Sequence, residues 1–335
     1  MITKGSLEKA AEKNIIQPEQ IEPLYQFLHE QPADTLSDNR EEPLRFIRSF
    51  GDVFITVGVI FLMISINLTG VSGINYLIPA AFFVLLAEWL VRRRRLALPG
   101  MAILLSILFF VYRAIAYENE TTSLLGLSVV AATSMLFYLR YKMPFSHLPL
   151  AASLVAMFII MIDVKAFDNP IVFAISGLVV FAVAMWFDSR DTERVSHLSD
   201  SAFWLHLLAS PLLVHGLMLS MLTSEQAWLS ALNKEIIILS FFAIFFLTAL
   251  FVDRRAMLIS TQLYMIYAVT QILRNNSANP QDIVIFVLIG LGLFVIYFGA
   301  YWYKTRRFVF GFLSGKTITR YVPDLNIQDG KSNAR

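Results

Sequence analysis

The sequence predicts an all-α protein, a polytopic transmembrane helix bundle of about ten spans with a small N-terminal cytoplasmic helical hairpin. Composition is the first reason. Of 335 residues, 57% are hydrophobic and 16% charged, and the mean hydropathy is +0.63. Soluble domains run at about 45–50% apolar and about 25% charged. The second reason is run length. From about residue 50 onward, the chain is a succession of apolar stretches long enough for a hydrocarbon core of about 30 Å. The third is the placement of charge, because lysine and arginine gather in every second turn between those stretches.

The first 30 residues read as the hairpin. Ser6 is an N-cap for a helix through Leu7, Ala10 and Ala11, and Asn14 ends it. Pro18 then stands where a second helix begins, with Ile21, Leu24, Tyr25 and Leu28 on one apolar face. Pro23 fits only because it falls in the first turns. The opening MITKGSLEKAAEKN is polar throughout and lacks the apolar core of a signal peptide. Residues 31–47 contain QPADTLSDNREEP, which predicts a flexible acidic tether. The membrane domain follows over 48–304, and 305–335 are expected as a cytoplasmic tail.

Ten spans are expected at 51–68, 74–91, 97–116, 122–139, 148–165, 170–187, 202–222, 235–252, 256–273 and 282–303. One set of alternate turns carries Arg92–Arg95, then Arg140 and Lys142, Arg190 and Arg194, and Arg254 and Arg255. Arg45 and Arg48 precede the first span, and Lys304, Arg306 and Arg307 follow the last. The opposite set offers only Lys165, Lys234 and Arg274. This asymmetry predicts a bacterial inner-membrane protein with both termini in the cytoplasm. The basic turns recur at a near-constant interval, but the side chains do not repeat well enough to mark a duplicated hairpin.

Chemistry is sparsely written. With no cysteine, disulfides, thiolate metal sites and cysteine nucleophiles are excluded. No GxSxG elbow, P-loop, GxGxxG or HExxH is present. The expectation is therefore no enzyme, no metal and no cofactor. Nucleic acid is not expected as a partner either, since the basic residues sit in membrane-edge turns. The hairpin is too small to bury much apolar surface alone. It should dock on the membrane domain, on another protein or on a second copy.

The segment HLSDSAFWLHLLASPLLVHG (197–216) concentrates the polar candidates. His206 lies roughly 6 Å into the expected span and His215 roughly 20 Å in, and nine residues of separation put them on opposite faces. One metal ion cannot bridge them. Pro211 frees the carbonyl of Leu207, and Ser210 either satisfies it or bonds a neighbouring helix. His215 is either a neutral ring bonded to another helix or a proton or ligand residue; His206, nearer the interface, is the weaker candidate. Arg113 is expected either to snorkel and pair, with Glu118 and Glu120 just outside and Asp163 at the same level, or to recognise an anion. Gln262, Tyr264 and Gln271 either line a polar path or link helices. Glu88 and Arg92 form an i,i+4 pair. Asp188 and Asp191 read as a solvated ion-pair cluster, and Gly292 and Gly299 as close-packing positions.

The turn Ile16-Gln17-Pro18-Glu19-Gln20 and the stretch FWLHLLASPLLVH (203–215) resemble a group of uncharacterised bacterial polytopic membrane proteins that carry a short N-terminal helical hairpin. The resemblance implies the fold and the membrane location, and no activity. The functional expectation is a transporter-like pathway for a small solute or ion, with His206, His215, Arg113, Asp163 and Gln262 as its candidate polar residues. A non-catalytic scaffold or regulatory protein is the alternative. The third class is a lipid-modifying enzyme built on His147, His197 and Asp200, which share one membrane level.

Overall fold

The computed structural model describes residues 7, 11, 16–24, 47, 49–115, 120–162, 169–192, 194, 196–223, 234–255, 257–275, 279–314 and 316–323. The chain divides into two compact units, Met1–Leu44 with Gln328–Arg335, and Arg45–Ile327. In the first unit the described stretch opens with a 3-10 turn at Pro18–Gln20, and helix continues to Leu24. Gln17 N–H donates to Gln20 Oε1 at 3.0 Å, and Gln17 accepts in return, so the start forecast at Pro18 carries a reciprocal cap. Ser6, Asn14 and the tether lie outside the described residues.

Among the described residues the second unit holds ten main helices: α1 (Phe50–Leu68), α2 (Leu77–Ala87), α3 (Ala97–Ile115), α4 (Glu120–Tyr141), α5 (His147–Ile162), α6 (Pro170–Arg190), α7 (His197–Thr223), α8 (Lys234–Val252), α9 (Met257–Asn275) and α10 (Pro280–Phe310). Each coincides with one of the ten apolar runs. No strand occurs among the described residues. Eight of the helical segments are long and apolar enough to cross a membrane; the described apolar part of α8 is shorter, and α9 is the more polar remainder. The protein is thus a multi-pass membrane protein with an all-α bundle.

The turns at the basic end are built alike. Arg95, Lys142, Arg194 and Asp253 all have positive φ, between 52° and 61°, and one falls in each of the four basic turns. A left-handed residue just past a helix lets the next amides reach back to its last carbonyls. Leu96 N–H accordingly donates to Leu90 O at 3.1 Å, Lys142 N–H to Tyr138 O at 2.7 Å, and Arg254 N–H to Ala249 O at 2.9 Å. Such closures turn the chain sharply and set successive helices antiparallel.

Packing then differs by helix. Phe83 of α2 stacks on Phe110 of α3 at 5.8 Å, and Phe110 on Tyr76 at 6.0 Å. With Ile103, Leu104 and Ile107 these rings form the core of the first half. In the second half α6 and α7 make the closest helix pair. Two glycines allow it. A Cβ on Gly177 would stand 2.6 Å from the Leu213 backbone nitrogen, and one on Gly216 would stand 2.6 Å from the Pro170 carbonyl oxygen. The i,i+7 pair named from sequence is different: a Cβ on Gly292 or Gly299 meets nothing within 4 Å. The close-packing expectation is therefore corrected. Only 6% of the residues in that span's most apolar window are buried, so among the described residues that face of α10 meets no close neighbour.

The expected boundary after residue 304 is not a break in the fold. Helix resumes after a kink at Tyr301, where φ is −118° and ψ 21°, and runs on to Phe310, and 316–323 turns back so that Val322 is buried and the Pro323 carbonyl accepts from Arg306 at 2.8 Å.

Candidate functional site

The polar centre of the membrane domain lies where the second-half helices meet at the basic end. The α6–α7 hairpin builds it first. Asn169 Oδ1 caps α6 by accepting from Ile171 N–H at 3.2 Å. Beyond α6, Asp191 Oδ2 accepts from Ser196 N–H at 2.9 Å and from Ser196 Oγ at 2.7 Å, while Ser196 Oγ accepts from Leu198 N–H at 3.2 Å. This short cap network starts α7 and aligns the two helices so that Asp188 of α6 faces His206 of α7. His206 Nε2 lies 2.8 Å from Asp188 Oδ2, with Phe181 edge-on to the ring at 5.3 Å.

The cation for Asp188 comes from the α8–α9 turn. Asp253 takes the left-handed position after α8, and Arg254, next in the chain, is drawn inward. Its Nε donates to Asp188 Oδ2 at 3.1 Å, and its Nη2 donates to Asp188 Oδ1. Nη2 also donates to Ser199 Oγ at 3.0 Å and to the Ser199 carbonyl at 3.1 Å. A forked guanidinium matches a carboxylate in both distance and direction, which is the strongest pairing arginine makes. Arg254, Asp188 and His206 are all buried, His206 with no exposed surface. The expected solvated pair is therefore corrected for Asp188: it is a buried carboxylate whose cation arrives from another turn, while Asp191 caps a helix. His206, expected as the weaker of the two histidine candidates, is the one buried beside a carboxylate.

A second layer holds the end of α8. An α-helix leaves its last four carbonyls without helical partners and carries partial negative charge there. Arg306 of α10 donates to the Leu250 carbonyl at 3.0 Å and to the Phe251 carbonyl at 3.1 Å. Arg194 donates to the Asp253 carbonyl at 2.6 Å, with the Val252 carbonyl at 3.5 Å. Arg194 Nη1 also lies 3.0 Å from Asp253 Oδ2, an ion pair by distance although its N–H is not aimed as a hydrogen bond. Trp302 Nε1–H donates to Asp253 Oδ1 at 2.6 Å, and the Arg255 guanidinium covers the other side of that indole at 5.4 Å. The result is a dry clamp. Two carboxylates and three arginines join α6, α7, α8 and α10, with the α8–α9 turn at the centre.

The remaining candidates are distributed elsewhere. His215 is exposed on α7, its Nδ1 2.7 Å from the Tyr264 hydroxyl of α9. Arg113 Nη2 donates to the Tyr76 hydroxyl at 3.1 Å, and its guanidinium lies 5.3 Å from that ring. Asp163 and Glu118 lie outside the described residues, as does the side chain of Glu120. Gln262 is half-buried on α9, two residues from Tyr264 and so about 200° around the helix from it. Ser210 Oγ donates to the Met257 carbonyl at 2.7 Å, so the hydroxyl beside Pro211 is spent on the neighbouring helix. His197 pairs loosely with Asp200 at 3.9 Å along its own helix. His147 Nδ1–H donates to the Pro144 carbonyl at 3.2 Å, and its ring sits between Tyr138 and Phe187.

Glu88 makes the i,i+4 pair with Arg92 at 3.1 Å, and more. It also accepts from Arg140 Nε at 2.9 Å, from Arg140 Nη2 at 3.2 Å and from the Tyr141 hydroxyl at 3.0 Å. One carboxylate thereby ties the end of α2 to the end of α4. Glu88 opens a π-helical turn over Glu88–Arg93, a widening of the helix that often re-aims side chains.

No sequence motif marks the clamp. The only local sign was an aspartate, Asp188, close enough to the apolar run of α6 to be withdrawn from water. Among the described residues no three His, Asp or Glu side chains converge as metal ligands. The chain matches no family model, no curated protein and no solved structure.

Proposed function

We propose that this chain is a ten-span protein of the bacterial inner membrane, with both termini cytoplasmic, that serves as a non-catalytic scaffold or regulatory protein. The alternation of basic and non-basic turns supports the orientation. The observation that carries the scaffold reading is how the ionisable groups are used. Asp188, Arg254, Arg194, Asp253 and Arg306 bond one another or helix-end carbonyls inside a dry clamp, and His215 and Arg113 each engage a tyrosine at a separate place. Polar residues of this kind act as glue between helices. The cytoplasmic hairpin would then be the module that meets a partner protein or a second copy.

Transport remains the second reading, favoured by one atom. His206 Nδ1 is buried and has no hydrogen-bond partner among the described residues, beside a carboxylate at membrane depth. An ionisable group so placed is where a proton pathway would pass.

Two experiments test the proposal, the first its topology and the second the choice between scaffold and transporter. Reporter fusions placed after residue 120 and after residue 255 should report opposite sides of the membrane; the same side from both would overturn the topology. Proteoliposomes holding the purified protein and a pH-sensitive dye should show no proton flux above empty vesicles when a pH gradient and a potential are imposed. Flux that His206→Phe abolishes, in a variant that still folds, would replace the scaffold with a transporter.

A further inference from the structure

α5 and α6 hardly touch each other along their length; each leans instead on α7. The gap this leaves is a groove of about 350 Å³, open on one side. Leu154 and Phe158 of α5 form one wall, and Ile175, Val179 and Val183 of α6 form the other. Leu205 of α7 contributes to the lining as well. All of these except Leu205 are exposed at the protein surface, so the groove opens onto lipid.

Its dimensions and its ends are specific. From His147 to Phe158 the α5 wall rises about 16 Å, and from Ile175 to Phe187 the α6 wall about 18 Å. Half of a bilayer's hydrocarbon core is about 15 Å. The groove is therefore one leaflet deep. The lining is apolar except for Ser176 toward the inner end and His147 at the basic end.

Across that basic end runs an unbroken series of ring contacts. Tyr138 meets His147 at 4.3 Å, His147 meets Phe187 at 5.6 Å, and Phe187 meets Trp186 at 5.1 Å. A cation closes the series on each side: Lys142 Nζ lies 5.4 Å from the Tyr138 ring, and the Arg190 guanidinium 3.9 Å from the Trp186 ring. Both cations are exposed and neither forms an ion pair among the described residues, so each is available to a ligand. Aromatic residues at such a level belong to the headgroup region of a membrane.

We propose that this groove is a binding site for one anionic glycerophospholipid of the leaflet at the basic end. One acyl chain lies between α5 and α6, and the headgroup lies at the basic end, along the ring series that Lys142 and Arg190 terminate. The match of groove length to a single leaflet selects an acyl chain, and the cations that end the ring series at its basic end favour a negative headgroup over a zwitterionic one. The site is independent of whether the protein is a scaffold or a transporter.

The test uses the full-length protein in mild detergent with equal amounts of palmitoyl-oleoyl phosphatidylglycerol and the phosphatidylcholine of the same chains. Native mass spectrometry then counts the lipid retained through stepwise delipidation. The wild type is expected to keep one phosphatidylglycerol, in preference to phosphatidylcholine by roughly tenfold or more, since the ring series at the headgroup level carries a basic residue at each end. Val179→Trp adds bulk at an exposed position on the α6 wall and should lose the retained lipid while the unfolding temperature stays unchanged. Leu154→Trp, on the opposite wall, repeats the test if the first variant folds poorly. The double variant Lys142→Gln with Arg190→Gln should keep a lipid but bind the two headgroups equally. Equal retention of both lipids by the wild type would overturn the proposal. So would retention that neither tryptophan reduces, or a dimer that Val179→Trp splits, which would assign the groove to a second copy.

Discussion

Asp188→Ala should destabilise the protein by about 3–5 kcal/mol, the usual cost of removing one partner from a buried ion pair. The loss is large because of what stays behind. Arg254 remains at 2% exposure with its forked acceptor gone, and His206 loses the carboxylate 2.8 Å from its Nε2. Neither side chain reaches water without opening the hairpin of α6 and α7. Thermal unfolding of the detergent-solubilised protein is the measurement, read beside the yield of folded material. Asp188→Asn preserves shape and some hydrogen bonding, so it should fall between wild type and alanine. The informative variant is the double one. Asp188→Leu with Arg254→Met removes both charges together and should recover much of the loss, because an apolar pair of similar volume needs no counter-charge. A single alanine variant that melts within about 1 kcal/mol of wild type would mean the carboxylate is not what holds Arg254.

Gly177→Val should cost at least about 1–3 kcal/mol, the range for forcing extra carbon into a well-packed contact. Here the obstacle is backbone. The first added carbon would stand 2.6 Å from the Leu213 nitrogen and 2.9 Å from the Leu212 Cβ, so α7 must shift as a unit. Gly216→Val meets the same difficulty from the other helix, against the Pro170 carbonyl. The shift propagates to the clamp, since Asp188 and His206 are carried by the same two helices. Gly292→Val is the internal control. It adds the same atoms to a helix with nothing within 4 Å of the new carbon and should leave the unfolding temperature nearly unchanged. Equal losses at 177 and 292 would show that the glycines matter for local helix properties rather than for the approach of α6 to α7.

The contrast between those glycines marks the boundary of what could be read in advance. Ten apolar runs were legible because run length is a local quantity, measured against a fixed membrane thickness, and each run coincides with one helix. The basic turns were legible for the same reason: charge at a helix end is visible without knowing any neighbour. Spacing along one helix was also reliable. Nine residues put His206 and His215 on opposite faces, and the structure has one fully buried and the other exposed. Which of the two would turn inward was not readable, because α7 is apolar nearly all round and lipid accepts any of its faces.

That Ser210 or His215 would bond a neighbouring helix could be expected from sequence, but which residue each meets could not. Asp188 seemed solvated because its chain neighbours are Ser189, Arg190 and Asp191, whereas its true counter-charge, Arg254, is separated from it by a whole hairpin. The carbonyls at the end of α8 give no signal at all in a sequence, yet they collect Arg306 and Arg194. In water, burial itself sorts a helix into an inward and an outward face, and periodicity reports the result. In a bilayer that sorting is weak, since the lipid is as apolar as the core. The amino-acid sequence therefore determined where this chain crosses and how its ends are charged. Rotation and register of the packed helices, set by Gly177, Gly216 and the left-handed turn at Asp253, decided which charges meet.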